Sequence, residues 1–425
     1  MDAHAAFRFR RYPSAVRPAE TSQPPWLWPL LLGMGLQTFA WNVCLPFLPL
    51  RVQELGLSDS GQVARQAGFL VGMSSLLNTA LATPWSWLGA RFGYRRQVMR
   101  AHAGTALGWA LMGIARTPQQ MAGAAITLGA LSGNYPHYVA LAAARASSSQ
   151  MGRVIGDMQA ASQIGMTLGP LLGGLVASQL GNQPTFFVSA ALSLGAVVMA
   201  VCLLPPDTGR AVQRSVTGGI AAAWRRPGQR RLMAILMIGD AGIIGLRPLI
   251  PVILSSRITD SATLAATTGV TTTLATAGAI AAAIAMGRIG RWVSPQRVLS
   301  FSLPLTALCI ALVPFIKDVP VLIALWALSG VASGATTPAV FAWLGRISPT
   351  TTTGGYALLA NTSMATYALG PILMGQLSAT SLDLPFFAGA IFAVSAAALT
   401  TPSGEHTAQL QSQELASDHD RPTKR

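Results

Sequence analysis

The sequence predicts an all-α membrane protein of twelve spanning helices in two six-helix pseudo-repeats, and three observations predict it. First, 51% of the 425 residues are apolar and only 10% are charged, with a mean hydropathy of +0.47. That leaves too little polar surface for a water-soluble globule of this length. Second, apolar runs of membrane-spanning length recur along the chain, separated by short segments rich in charge, Pro or Gly. Third, landmarks of the first half return in the second at an offset of about 200 residues. Pro46-x-x-Pro49 returns as Pro248-x-x-Pro251, and Arg91 to Val98 as Arg291 to Val298. Ala130-Leu131-Ser132-Gly133 returns as Ala327-Leu328-Ser329-Gly330, and Gly169-Pro170 as Gly370-Pro371.

Residues 1–25 carry Arg8, Arg10, Arg11 and Arg17 among prolines, ahead of an apolar run too long for a signal-peptide core, so they read as a tail on a retained first helix. In the first bundle, residues 26–204, the runs place helices at Trp26 to Leu50, Ala64 to Leu88, Val98 to Ile114, Gln119 to Ala143, Val154 to Ser178 and Pro184 to Leu204. A linker, residues 205–231, carries Arg210, Arg214, Arg225, Arg226, Arg230 and Arg231, suited to anionic lipid headgroups. In the second bundle, residues 232–401, helices fit Leu232 to Leu254, Ala262 to Gly287, Val298 to Ile316, Val319 to Leu344, Gly355 to Ala379 and Leu384 to Thr400. Residues 402–425, with Glu405, Glu414, Asp418 and Asp420, read as a disordered tail. Lys and Arg are retained on the cytoplasmic side of a membrane. With the N-terminus inside, 23 of the 29 fall on that side, against Arg51, Arg65, Arg116, Arg257 and Lys317 on the other and Arg247 within helix 7. Both termini are expected in the cytoplasm.

The net charge of +15 does not imply a nucleic-acid partner, because the basic residues are scattered between apolar runs and no aromatic platform accompanies them. Cys44, Cys202 and Cys309 lie inside apolar runs without metal-ligand spacing and read as small buried hydrophobes. No Gly-rich phosphate loop with its Lys is present, so no nucleotide cofactor, and no other cofactor or metal, is expected. A membrane enzyme would need carboxylates or histidines gathered for acid–base chemistry, and Asp157, Asp240 and His137 fall on three separate helices.

Two motifs narrow the class. Ser86 to Arg96 is the densest cationic stretch between two apolar runs, with Gly93 free to take a positive φ in a turn while Arg91, Arg95 and Arg96 stay in water. It resembles the loop between helices 2 and 3 of the major facilitator superfamily, written G-x-x-x-D-[RK]-x-G-R-[RK]. Arg91, Gly93 and Arg95 match, whereas Ser86, Ala90 and Tyr94 stand where the family has Gly, Asp and Arg. In helix 5, Gly165, Gly169, Pro170, Gly173 and Gly174 fill every position of G-x-x-x-G-P-x-x-G-G, which is similar to the antiporter motif of exporters in that superfamily. Small residues four apart make a flat face for close helix packing. Bulk at Gly169 is therefore expected to separate the halves. The resemblance to the twelve-helix drug:proton antiporter branch covers about residues 26–401 and implies a major facilitator fold. The family's helix 4 relay Arg is replaced by Ala125.

The resemblance also implies that helices 1, 4, 7 and 10 line a central cavity. Helix 1 offers Gln37, Trp41 and Asn42, of which Trp41 reads equally as a packing residue. Helix 4 offers His137, read as the histidine well inside a span and either a cavity group or a satisfied structural residue. In helix 10, Trp326, Ser329, Ser333 and Thr337 are available. In helix 7, Asp240 and Arg247 lie about two turns apart on one face. They read either as a static pair that makes two buried charges tolerable or as a proton-coupling pair that replaces the missing relay. Asp157, four residues after Arg153, reads as an i,i+4 partner or as the acid that latches Arg91 or Arg95 at a cytoplasmic gate.

The expected function is secondary active export of a small, weakly charged amphipathic molecule, such as a drug, a dye or a self-made metallophore, across a bacterial inner membrane in exchange for protons. The chain is expected to act as a monomer in the lipid bilayer. Import of a sugar or organic acid on the same fold is the alternative; a non-transporting membrane enzyme or sensor is the distant one.

Overall fold

The computed structural model describes residues 24–147, 150–207, 224–290, 292–347 and 353–401. Both tails and most of the linker lie outside them. The first bundle contains α1 (Leu27–Glu54), α2 (Ser60–Phe92), α3 (Tyr94–Ile114), α4 (Pro118–Leu131 continued by Tyr135–Ala143), α5 (Met151–Leu180) and α6 (Asn182–Leu203). The second contains α7 (Gly228–Ser255), α8 (Ser261–Ile289), α9 (Pro295–Phe315), α10 (Val319–Ile347), α11 (Thr353–Ser378) and α12 (Leu384–Ala398). No strand occurs among the described residues. Seven helices, α1 and α5 to α10, are long and apolar enough to cross a membrane by length and composition alone.

Proline sets the shape of the helices that matter most. Pro46 and Pro49 tighten α1 into a 3-10 turn at Leu45–Phe47, and Pro248 and Pro251 do the same to α7 at Arg247–Leu249, because proline lacks an N–H for the ladder and its ring pushes back the preceding turn. α4 breaks outright between Leu131 and Tyr135, where Gly133 takes φ +93°. At the loops that begin α2, α8 and α10, Asp59, Asp260 and Asp318 accept the amide of the residue three further on. The Thr263 hydroxyl adds a second bond at 2.5 Å, and together these hold the Asp260 carboxyl below the usual carboxylate range.

Each bundle has its own packing. Trp109, Met112 and Phe186 are buried where α3 and α6 meet, and Leu232, Leu303, Val340 and Trp343 join α7, α9 and α10. The bundles meet along two seams, α2 against α11 and α5 against α8. Both seams close at the face opposite the chain ends, hereafter the far face. There Gly68 lies on the Pro371 carbonyl and Gly375, Gly174 lies on Gly269, and Gln53 donates to Ser255 Oγ at 3.0 Å. Toward the other face α5 and α8 part around a cleft lined by Gln159, Gln163, Thr167, Ile280, Ala283 and Ile284.

Two expectations about the chain path change. The cationic stretch is not a loop: α2 runs on through Phe92 and α3 starts at Tyr94, so Gly93 alone makes the turn, at φ +101°. Cys44 and Cys309 are buried as expected, but Cys202 is exposed on the outer side of α6.

Candidate functional site

Between the bundles lies a central cavity lined by Asn42 of α1, Arg247 of α7, Thr272 and Thr276 of α8, Trp326 and Ser329 of α10 and Tyr367 of α11. Arg247 stands where the α-helical part of α7 gives way to the 3-10 turn Arg247–Leu249; its side chain is exposed, and its guanidinium lies 6.0 Å from the Tyr367 ring centroid. Asp240 makes no direct ion pair with it, although the two charges act on each other across two turns of α7. The carboxylate is buried, and its Oδ2 accepts the Thr337 hydroxyl of α10 at 3.1 Å. No ion pair within 4.0 Å joins Asp240 and Arg247 among the described residues: the helix between them is regular, and two turns of it set the two side chains about 10 Å apart along the axis. Thr337 supplies the bond expected of the arginine. Ser329 and Ser333 return their hydroxyls to the carbonyls of Trp326 and Gly330.

Of the α1 candidates only Asn42 faces the cavity, with its amide nitrogen on the Thr38 carbonyl at 2.8 Å. Gln37 and Trp41 turn to α3 instead: Gln37 donates to Thr105 at 3.3 Å, and Trp41 meets Trp109 edge-on at 5.1 Å. The two spacings of four residues match, so both pairs hold the same two helices together.

His137 is buried at the start of the second part of α4, 6.2 Å from the Tyr94 ring, and neither ring nitrogen has a hydrogen-bond partner among the described residues. It is not the only histidine in a span. His102 of α3 is fully buried, with Nε2 2.8 Å from the Tyr138 hydroxyl, and it was visible inside the predicted run Val98 to Ile114. Arg100 lies in the same predicted run and was given no role. Its Nη1 donates to the Leu131 carbonyl at 2.6 Å while its guanidinium carbon lies 3.7 Å from the Trp85 ring centroid, and Trp85 donates to the Ala130 carbonyl. Two carbonyls next to the α4 break are thus satisfied from α2 and α3.

At the Gly93 turn, Arg91 is exposed beside the Trp87 and Phe92 rings, at 5.8 and 5.6 Å. Arg95 bonds the Ala200 and Val201 carbonyls at the end of α6, at 3.3 and 2.5 Å. Asp157 pairs with neither. It sits 4.0 Å from Arg153 on its own helix, so the i,i+4 reading holds and the latch does not form. The carboxylate that meets the turn is Asp207, just past α6, whose Oδ1 accepts the Tyr94 and Arg95 amides at 2.8 and 3.3 Å. Arg145 of the α4–α5 connection donates to the adjoining Pro206 carbonyl. Asp207→Ala orphans two amides at a helix start, worth about 1 kcal/mol, so the purified protein is expected to melt about 1–3 °C lower, as scanning fluorimetry measures.

The glycines of α5 do not serve one purpose. Gly165, Gly169 and Gly173 lie against α1, where a Cβ would meet the Gly35 carbonyl, Asn42 and the Val43 carbonyl respectively. They join two helices of one bundle, which corrects the expectation that Gly169 holds the halves together. Gly174, with Pro170 one turn earlier, is the part that touches the other bundle: the Pro170 carbonyl and Gly174 Cα both face Gly269 of α8.

A twelve-helix path, two seams and a central cavity with polar groups from both bundles are joined by matching relatives. The sequence model of the Major Facilitator Superfamily matches residues 30–293 and 232–418. A multidrug resistance protein MdtG of Yersinia enterocolitica is 26% identical over 312 residues, covering 73% of this chain and 75% of the relative. That of Serratia proteamaculans is 27% identical over 313 residues, covering 73% and 76%. The crystal structure of the nucleoside transporter NupG superposes with a TM-score of 0.71 at 15% identity, over 89% of this chain and 100% of that one. On its cavity, its seams and a family match that spans both bundles, the chain belongs to the Major Facilitator Superfamily and is a multi-pass membrane transporter, not an enzyme.

Proposed function

We propose that this transporter is an inner-membrane exporter that takes a small amphipathic molecule from the cytoplasm, acting as a monomer with both chain ends cytoplasmic. The observation that carries the reading is the central cavity, closed by both seams at the far face and parted between α5 and α8 at the other. With the chain ends inside, this is a state loaded from the cytoplasm. Rocking of the bundles about the cavity would close the cleft and open the far seams. The names of the relatives, multidrug resistance proteins, support outward transport of such molecules.

Protons would enter the cycle at Asp240, a carboxylate at membrane depth whose Thr337 bond crosses from α7 to α10. Asp240→Asn keeps the shape and removes the charge. It is expected to lose uphill transport driven by a pH gradient and to keep gradient-free counterflow in reconstituted vesicles; undiminished uphill flux would exclude Asp240 as the coupling group. One observation favours a second reading, proton-coupled uptake. Asp240 and Arg247 share α7, and a proton on Asp240 leaves the arginine uncompensated, able to draw an anion in with it. The direction of accumulation under an imposed pH gradient decides between the two.

A further inference from the structure

We infer that Arg247 is an anion subsite, and that the substrate carries an oxyanion group, a carboxylate, sulfonate or phosphonate, on an apolar or aromatic body. The inference rests on the reading of the central cavity as the transport site and replaces the expectation of a weakly charged substrate; it holds for either direction of flux.

An arginine well inside a membrane-spanning helix is expensive unless it meets water, a counter-charge or a ligand. Arg247 has no carboxylate within 4.0 Å and no hydrogen bond among the described residues. Its guanidinium lies over the face of Tyr367, and the charge of Asp240 reaches it only from beyond ion-pair distance. The acid on its own helix, Asp240, is buried and engaged with Thr337, and it is not among the residues that line the cavity. Among the described residues no acidic side chain lines the cavity. Its polar lining is the hydroxyl and amide groups of Thr272, Thr276, Ser329, Ser333 and Asn42, which can complete the coordination of an oxyanion but cannot neutralise a cation.

The geometry suits such a group. A guanidinium presents its N–H donors in a planar fork that matches two oxygens of a carboxylate or related oxyanion. Beside it Trp326, Ile243, Ile244 and Val71 offer apolar surface to the rest of the molecule. Arg247 sits at the end of the cavity sealed by the far seams, so a ligand entering from the parted side would travel the length of the cavity before meeting the charge. The site has no counterpart in the first bundle: one residue before Pro46 stands Leu45, where Arg247 stands before Pro248. One cycle therefore offers one cationic site.

Three isosteric probes test this on the full-length protein in nanodiscs: 2-naphthoate, neutral 2-naphthamide and cationic 2-naphthylmethylamine, with affinities read by calorimetry. The wild type is expected to bind 2-naphthoate at least about tenfold more tightly than the amide, and the cation more weakly than either. Arg247→Gln should bring naphthoate and naphthamide to parity, and Arg247→Lys should keep part of the preference because it retains a point charge without the fork. Arg257→Gln, a change outside the cavity, should leave all three affinities unchanged. Equal affinities in the wild type, or a naphthoate preference that survives in Arg247→Gln, would overturn the inference. Should Arg247→Gln fail to insert, the wild-type ranking and Arg247→Lys still decide. The exporter reading fails separately, through energised flux: anion preference in a protein that accumulates its substrate inward leaves the subsite standing and removes only the direction.

Discussion

Gly93→Val is expected to insert and fold, yet to carry less than about one-tenth of the parental flux. Gly93 is the single residue between α2 and α3, and its φ of +101° with ψ of 137° belongs to glycine. A β-branched residue there costs about 1–3 kcal/mol in backbone strain. The added Cβ would also be driven into the Asp207 carboxylate. Asp207 must then leave, and with it go the bonds from the Tyr94 and Arg95 amides, together worth about 1 kcal/mol at this helix start. Loss of that anchor frees the end of α6, to which Arg95 is also tied. The parted end of α2 must move as one body with its bundle if the bundles are to rock, so the cycle stalls while the far seams stay packed. Flux in vesicles, with insertion checked by protease protection, measures it; normal flux in a correctly inserted protein would refute the role.

The second large effect falls on Gly174. Gly174→Leu is expected to leave each bundle intact and to prevent closure at the far face. The Cβ alone would lie 3.1 Å from Gly269 Cα and 3.3 Å from the Ala265 carbonyl, and the remaining leucine atoms have no space between α5 and α8. Seams of this kind depend on small residues that let backbones approach. A cysteine placed at Thr272 in the cavity should therefore become reactive toward a membrane-impermeant thiol reagent from the far side, at least about tenfold faster than in the parent, while net transport falls to near zero. Gly169→Leu should behave differently, loosening α1 from α5 and lowering thermal stability. If labelling of the cavity is unchanged in Gly174→Leu, the seam is not the far gate.

Much of this was legible before any coordinates. Twelve apolar runs give twelve helices, since membrane length and hydropathy constrain a span more tightly than any local propensity. The paired prolines mark the repeat in the sequence, and only the structure shows that each pair tightens its helix into a 3-10 turn. What failed were statements about partners. Spacing showed that Gly165, Gly169 and Gly173 form one face, but not that the face meets α1 while Gly174 alone meets α8. Asp157 was the acid nearest in the pattern, whereas the acid at the Gly93 turn is Asp207, 113 residues from Tyr94. Charge misled at the turn: Arg95 reads as a loop residue left in water, yet it is helical and, like Arg100, spends its donors on carbonyls at a neighbouring helix end or break. Periodicity put Asp240 and Arg247 on one face but could not show that the carboxylate is held from another helix, by Thr337 of α10.

The hydrogen bond between Gln53 and Ser255 joins positions that each stand seven residues beyond the first proline of a repeat, Pro46 and Pro248. Two equivalent positions can touch only on the axis that relates them. The seams obey the same rule, since α2 with α11 and α5 with α8 are two copies of one contact, the second helix of one unit against the fifth of the other. The closure over the cavity thus has the form of an isologous homodimer interface fused into one polypeptide. In a duplicated gene every residue on such an axis begins opposite its own copy, and a glutamine and a serine there record how far the two copies have diverged while still meeting.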